Sequence, residues 1–263
     1  MNINLLVIGS CQTYGYGLAA GQSFVDQFIR RLEQCGQHVK AEYYAPVSLQ
    51  AVRYLLPKLP LNQYDVILLQ AGHFELQQSQ PFTTFLKKQR SVNELVIAVP
   101  ADIDALRDLA PLVLDKAGSP SGNWLMANLK LAFLRSLAGF RTLTRLNEVH
   151  RNLRIILKAL RPHRHKVLLL TPLPHREPVS RWLRNRGRTL FIEEAAHQGF
   201  SVFDTHTLIQ PREEYFIIDD PAHLNAVGHE LIGSRLFDFY RAEPVVLPDQ
   251  FKSPDRFNGH RMP

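Results

Sequence analysis

Residues 4–17 read Asn4-Leu5-Leu6-Val7-Ile8-Gly9-Ser10-Cys11-Gln12-Thr13-Tyr14-Gly15-Tyr16-Gly17, and this stretch decides the fold. Its first part is a continuous apolar run stopped by Gly9. A strand with one wet face would alternate; an unbroken run is the pattern of a parallel strand buried on both faces. Its second part is a polar turn punctuated by glycines, with a thiol at its mouth. Working outward, the same strand pattern recurs at Asp65–Gln70, stopped by Gly72, at Lys166–Leu170 and, more briefly, at Phe200–Phe203; His38–Tyr44 reads as another strand. Helical spacing fills the intervals. Phe24, Val25, Phe28, Ile29 and Leu32 mark Ser23–Gln34, Leu49–Leu59 ends near Pro57 and Pro60, Asn123–Leu160 is broken at Gly139, and Arg181–Gln198 and His223–Tyr240 follow. Apolar strands alternating with helices predict an α/β fold: a doubly wound, flavodoxin-like parallel sheet of about five strands in three α/β/α layers.

With 263 residues, the chain suits one large domain over residues 1–243, with a loosely structured tail over 244–263. Residues 77–122 show poor periodicity and several prolines, as expected of an insertion or lid. Phe82, Phe85, Leu125, Met126, Phe133 and Phe140, in and just beyond this region, are expected to line part of a groove leading to Cys11. No apolar run approaches the roughly 20 residues that span a bilayer. The opening Met1–Cys11 is too short, and lacks the preceding basic residues, for a signal peptide or a lipidated Cys11. The expectation is therefore a cytoplasmic protein with free thiols at Cys11 and Cys35. The net charge of +7 admits an anionic partner. The arginines of 151–164 and 176–188 accompany no nucleic-acid motif, so they read as solvated helix faces.

Ligands of such sheets sit at the carboxyl ends of the strands, which directs attention to the turns after Ile8, Tyr44, Gln70 and Leu170 and to the loop before the last helix. Cys11 lies in the first of these, where backbone N–H groups favour a thiolate and offer donors to an oxyanion. Asp220-Pro221-Ala222-His223 lies in the last. An aspartate three residues before a histidine can hold one ring nitrogen and leave the other free as a base. The alternatives are a small core cysteine, a helix cap at Asp220 and an exposed turn histidine at His223. His163, His165 and His175 do not have zinc-ligand spacing with a cysteine, so no metal is expected. Gly15-Tyr16-Gly17 lacks the third glycine of a dinucleotide fingerprint, so no cofactor is expected either.

Taken together, these segments resemble the SGNH (GDSL-type) hydrolases. The first strand with Gly9–Gly17 is similar to that family's opening Gly-Asp-Ser-Leu-Thr-x-Gly-x-Gly, and Asp220–Gly228 is similar to its closing Asp-x-x-His-Leu-Asn-x-x-Gly. Between them, Asp65–Leu76 resembles the strand that leads into Gly-x-Asn-Asp, and Leu168–Pro174 with Phe203-Asp204 resembles the late strands. The resemblance implies a triad of Cys11, His223 and Asp220, with cysteine where the family has its serine. Ser10 takes the place of the neighbouring aspartate; as nucleophile it would require a one-residue slip of the match. Phe74 stands where the family has its oxyanion-hole asparagine, and no glycine falls in 45–48. The oxyanion donors that remain are the N–H of Cys11 and of Ala45, with His73 as a substitute; Pro46 has no N–H to give.

The family implies esterase, lipase, thioesterase or acyltransferase activity. A sulfur nucleophile shifts the expectation toward thioester cleavage or acyl transfer, with plain ester hydrolysis or a catalytically decayed binding module as alternatives. Donors of the first kind, coenzyme A or an acyl-carrier protein, are anionic, and Arg176, Arg181 and Arg184 are expected to meet them near the site entrance.

Overall fold

The computed structural model of the chain describes residues 2–77 and 141–242. Among these, five strands, β1 (Asn2–Gly9), β2 (His38–Tyr44), β3 (Val66–Gln70), β4 (Val167–Leu170) and β5 (Val202–Phe203), form one sheet in the order β2-β1-β3-β4-β5. Every pairing is parallel. The helices are α1 (Phe24–Gln34), α2 (Leu49–Leu55), α3 (Arg141–Leu160), α4 (Pro178–Gln198) and α5 (Ala226–Ala242). This is the three-layer α/β architecture the strand pattern predicts.

The continuous apolar runs have the predicted cause. Leu6, Ile8, Ile67, Leu69 and Leu169 face a core filled by α2, α3 and α4, among them Val52, Leu153, Ile156 and Phe191. Leu5, Val7, Leu68, Leu168 and Leu170 face a second core filled by α1 and α5, among them Phe24, Phe28, Ile232 and Leu236. Neighbouring residues of one strand therefore belong to different cores, and both faces need apolar side chains. No helix among the described residues is long and apolar enough to cross a membrane.

Helix boundaries differ from the expected ones where capping chemistry decides them. Helix α2 stops at Leu55 and passes into a short 3₁₀ turn, Leu56–Lys58, because Pro57 supplies no N–H. Helix α4 starts at Pro178, three residues earlier than the apolar periodicity predicts. The Glu177 side chain accepts from the N–H of Val179 and Ser180, and Pro178 fits the first helical position. Helix α5 starts at Ala226, so His223 lies in the preceding loop; Asn225 Oδ1 accepts from Gly228 N–H at 3.1 Å and closes that terminus. Most of the expected insertion, the groove-lining residues from Phe82 to Phe140, and the tail over 244–263 lie outside the described residues.

Candidate active site

The chain runs from β1 out to β2 and returns to pair β3 on the other side of β1, so the sheet's topological switch point lies at the carboxyl ends of β1 and β3. Cys11 is the second residue beyond β1. The turn is tight: a Cβ on Gly9 would stand 2.2 Å from Thr13 Cγ2 and 3.0 Å from the Gln70 carbonyl oxygen, so only glycine fits. Thr13 Oγ1 donates to the Ser10 carbonyl at 2.7 Å, and Gly15 completes the turn with φ of 77°. The N–H of Cys11 makes no hydrogen bond among the described residues.

Cys11 Sγ lies 3.0 Å from His223 Nε2, and His223 Nδ1 lies 2.7 Å from Asp220 Oδ2. The other carboxylate oxygen, Oδ1, accepts from the N–H of Ala222 at 2.7 Å and of His223 at 3.1 Å, which fixes the aspartate. Burial works against that carboxylate, but the His223 ring and these two N–H groups outweigh it and hold it down at about 2. Burial likewise opposes an imidazolium at His223, but Cys11 on one nitrogen and Asp220 on the other push the ring up to about 10. Tyr16 stacks on the His223 ring with centroids 4.2 Å apart. Tyr14, Tyr16 and Ala45 form a small apolar cluster against which Cys11 packs. Burial pushes both tyrosines above their ordinary range, Tyr16 to about 12, so both stay neutral.

Two polar residues that the sequence did not single out hold the halves of this arrangement together. Gln12 Nε2 donates to the Ala222 carbonyl at 2.8 Å, and its Oε1 accepts from Leu224 N–H at 3.4 Å. His229 Nδ1 accepts from Phe24 N–H at 2.9 Å, so Nε2 carries the hydrogen and faces Gln12 Oε1 at 3.1 Å. Burial and the nearby His223 lower His229 to about 3 and keep it neutral. The network ties the Cys11 turn, the His223 loop, α1 and α5 into one unit.

The turn after β3 departs from expectation. His73 is 3% exposed, its Nε2 accepts from Leu173 N–H at 3.2 Å, and its Nδ1 lies 2.5 Å from the Gln70 side-chain nitrogen. Both ring nitrogens are thus engaged by the protein, and His73 is not a free oxyanion donor. Burial and the cation of Arg184 lower it well below its ordinary value. Ser10 is fully buried and its hydroxyl donates to Gln70 Oε1 at 2.7 Å, which removes it as an alternative nucleophile. Glu75 Oε1 accepts from Leu49 N–H at 2.7 Å at the start of α2, and burial raises its carboxyl to about 7.

The basic residues also differ from expectation. Arg176 pairs with Glu213, and Arg188 Nε donates to Asp204 Oδ1 at 2.9 Å. Arg184 is 1% exposed and does not face an entrance; its side chain packs inside the fold because the carbonyls of Leu173 (2.9 Å) and Pro174 (3.4 Å) accept from Nη1. Among the described residues no three His, Cys, Asp or Glu side chains are grouped to hold a metal ion.

The sequence matches no protein-family model and no curated protein. Solved structures do share the fold. A lipase/acylhydrolase from Enterococcus faecalis superposes with a TM-score of 0.54 at 15% identity, over 90% of this chain and 94% of that one. The lipase Lip_vut3 from a goat rumen metagenome gives 0.53 at 17% identity, over 89% and 95%. A member of the lipolytic protein G-D-S-L family from Veillonella parvula gives 0.52 at 12% identity, over 91% and 99%. At these identities the likeness establishes the fold.

Proposed function

We propose that the chain is an acyl-handling enzyme in which Cys11 is the nucleophile, His223 the base and Asp220 the residue that orients it. The observation that carries this reading is the continuous line of contacts from Cys11 Sγ to His223 Nε2 (3.0 Å) and from His223 Nδ1 to Asp220 Oδ2 (2.7 Å). The structural neighbours described as a lipase/acylhydrolase and a lipase support an ester-type substrate.

Proton transfer from Cys11 Sγ to His223 Nε2 gives a thiolate beside an imidazolium. The sulfur attacks the acyl carbonyl, and the C=O electron pair moves onto oxygen, where the N–H groups of Cys11 and Ala45 are the candidate donors. As the carbonyl re-forms, the bond to the leaving group breaks and His223 Nε2 returns the proton to that group. The resulting thioester is then attacked by water, an alcohol or an amine, whose proton passes to Nε2 while sulfur leaves. A thiolate needs less help from a base than a serine hydroxyl does, which makes the loss of the asparagine donor at Phe74 tolerable. An acyl-thioester exchanges readily with thioester donors, so coenzyme A or an acyl-carrier protein fits as donor, in a reducing, cytoplasmic setting suited to the free thiols Cys11 and Cys35.

A second reading, a binding module without catalysis, is favoured by one observation: Phe74 and the fully engaged His73 leave no side-chain oxyanion donor in the β3 turn. Turnover assays on p-nitrophenyl esters and N-acetylcysteamine thioesters, for the wild type and Cys11→Ala, separate the two. Turnover that disappears with Cys11 supports the enzyme. Binding of acyl compounds that is equal in both proteins, without turnover, supports the module.

A further inference from the structure

Arg184 and Arg188 lie one turn apart on α4, and the structure treats them differently. Arg188 is matched by the Asp204 carboxylate. Arg184 is 1% exposed, no carboxylate pairs with it among the described residues, and its Nε has no hydrogen-bond partner there. Among the described residues its hydrogen bonds go to the carbonyls of Leu173 and Pro174. A guanidinium removed from water is strongly disfavoured unless negative charge compensates it nearby.

Those carbonyls belong to a loop in contact with the segments that carry His73 and Asp220. Leu173 N–H bonds His73 in the β3 turn, and Arg176 N–H donates to the carbonyl of Pro221, next to Asp220, at 2.9 Å. The guanidinium therefore sits in the loop between β4 and α4 that packs against the triad. The titratable groups around it sort by charge. His175 is buried and His206 half-buried beside it, and both are lowered into the neutral range, as is His73. His175 Nδ1 accepts from Glu177 N–H, so its Nε2 carries the hydrogen. Tyr14 and Tyr16 are neutral as well, and Arg181 is half-buried on the same helix. Burial lowers Arg184 to about 10, and Cys11 and Asp220 are the groups near it that act in the opposite direction.

We propose that Arg184 is the fixed counter-charge of the site, a positioning residue that acts through Cys11 and Asp220 and favours the thiolate–imidazolium form of the Cys11–His223 pair. With His223 and Arg184 as the cations, Asp220 and the Cys11 thiolate complete a neutral set. The inference rests on the reading of Cys11 as the nucleophile.

The test is the pH profile of Cys11 alkylation by iodoacetamide in the full chain, with exposed Cys35 as internal reference. Arg184→Gln is expected to move the midpoint upward and slow labelling near neutral pH about tenfold, the effect of removing one nearby opposite charge. The plateau rate at high pH is expected to stay, and Arg184→Lys to remain close to wild type. An unchanged midpoint in Arg184→Gln overturns the proposal. Should that variant fail to fold, the wild type supplies the test. Iodoacetate leaves an anion on Cys11 and iodoacetamide does not, so the carboxymethylated protein is expected to melt at the higher temperature; equal or reversed melting temperatures overturn the proposal. Wild-type Cys11 that labels no faster than Cys35 overturns the nucleophile reading itself.

Discussion

Two turns lie side by side at the carboxyl edge of the sheet, one after β1 and one after β3, and their polar groups serve different ends. In the first, Cys11 Sγ meets His223, its N–H has no partner among the described residues, and Gln12 anchors the turn to the His223 loop. In the second, His73 and Gln70 spend their hydrogen bonds on Leu173, Ser10 and each other, Glu75 caps α2, and Phe74 stands where the sequence resemblance leads one to expect an asparagine. On the proposed reading, one turn is built toward a reacting atom and the other toward its own scaffold. In the proposed site, nucleophile and base are assembled and the oxyanion support is left to the backbone, which suits sulfur better than oxygen.

The largest effect tests the first turn. Cys11→Ala is expected to abolish acyl turnover, a loss of more than about 10³-fold, measured by steady-state kinetics with circular dichroism as the check on folding. His223→Ala is expected to lower turnover about 10²-fold or more, the usual contribution of a positioned base, and to slow alkylation of Cys11 but not of Cys35. A smaller effect tests the second turn. Phe74→Asn restores a side-chain donor and is expected to raise kcat on oxygen esters about tenfold, part of what such a donor contributes elsewhere. A fall in kcat with a rise in KM would instead make Phe74 part of the acyl-binding wall.

The smallest effect is on stability. Burial raises the Glu75 carboxyl from 4.5 to about 7, so its contribution is fully present below about pH 4.5 and is lost as pH rises through 7. Glu75→Gln is therefore expected to gain stability relative to wild type between pH 5 and 8, by about 1–3 kcal/mol, read from chemical denaturation at each pH. A difference that does not change with pH would show that the carboxyl titrates normally.

The core strands were legible because burial on both faces leaves a continuous apolar run at β1, β3 and β4 that no other element requires. Their helices were legible in position and less so at the ends, where Glu177, Pro178 and Asn225 act through local bonds that apolar periodicity does not register. The proximity of Cys11, His223 and Asp220 was legible because two segments that are weak signals singly carry a family resemblance when taken together. Arg184 was misread, since a lone arginine on a helix reads as solvated until the carbonyls that draw it inward are known. The His73 contacts escaped notice for the same reason: Leu173 is distant in sequence and contributes only its backbone N–H. Gln12 and His229 lay inside or beside the quoted motifs, yet their link across the chain exists only once the sheet has formed.

The most direct test of the central claim is intact-mass analysis of wild-type protein after exposure to activated acyl esters and thioesters, followed by peptide mapping. A single acyl adduct on Cys11, absent from Cys35 and slowed in His223→Ala, is the expected result. No adduct, or one that forms equally on both cysteines and is indifferent to His223, would contradict the account.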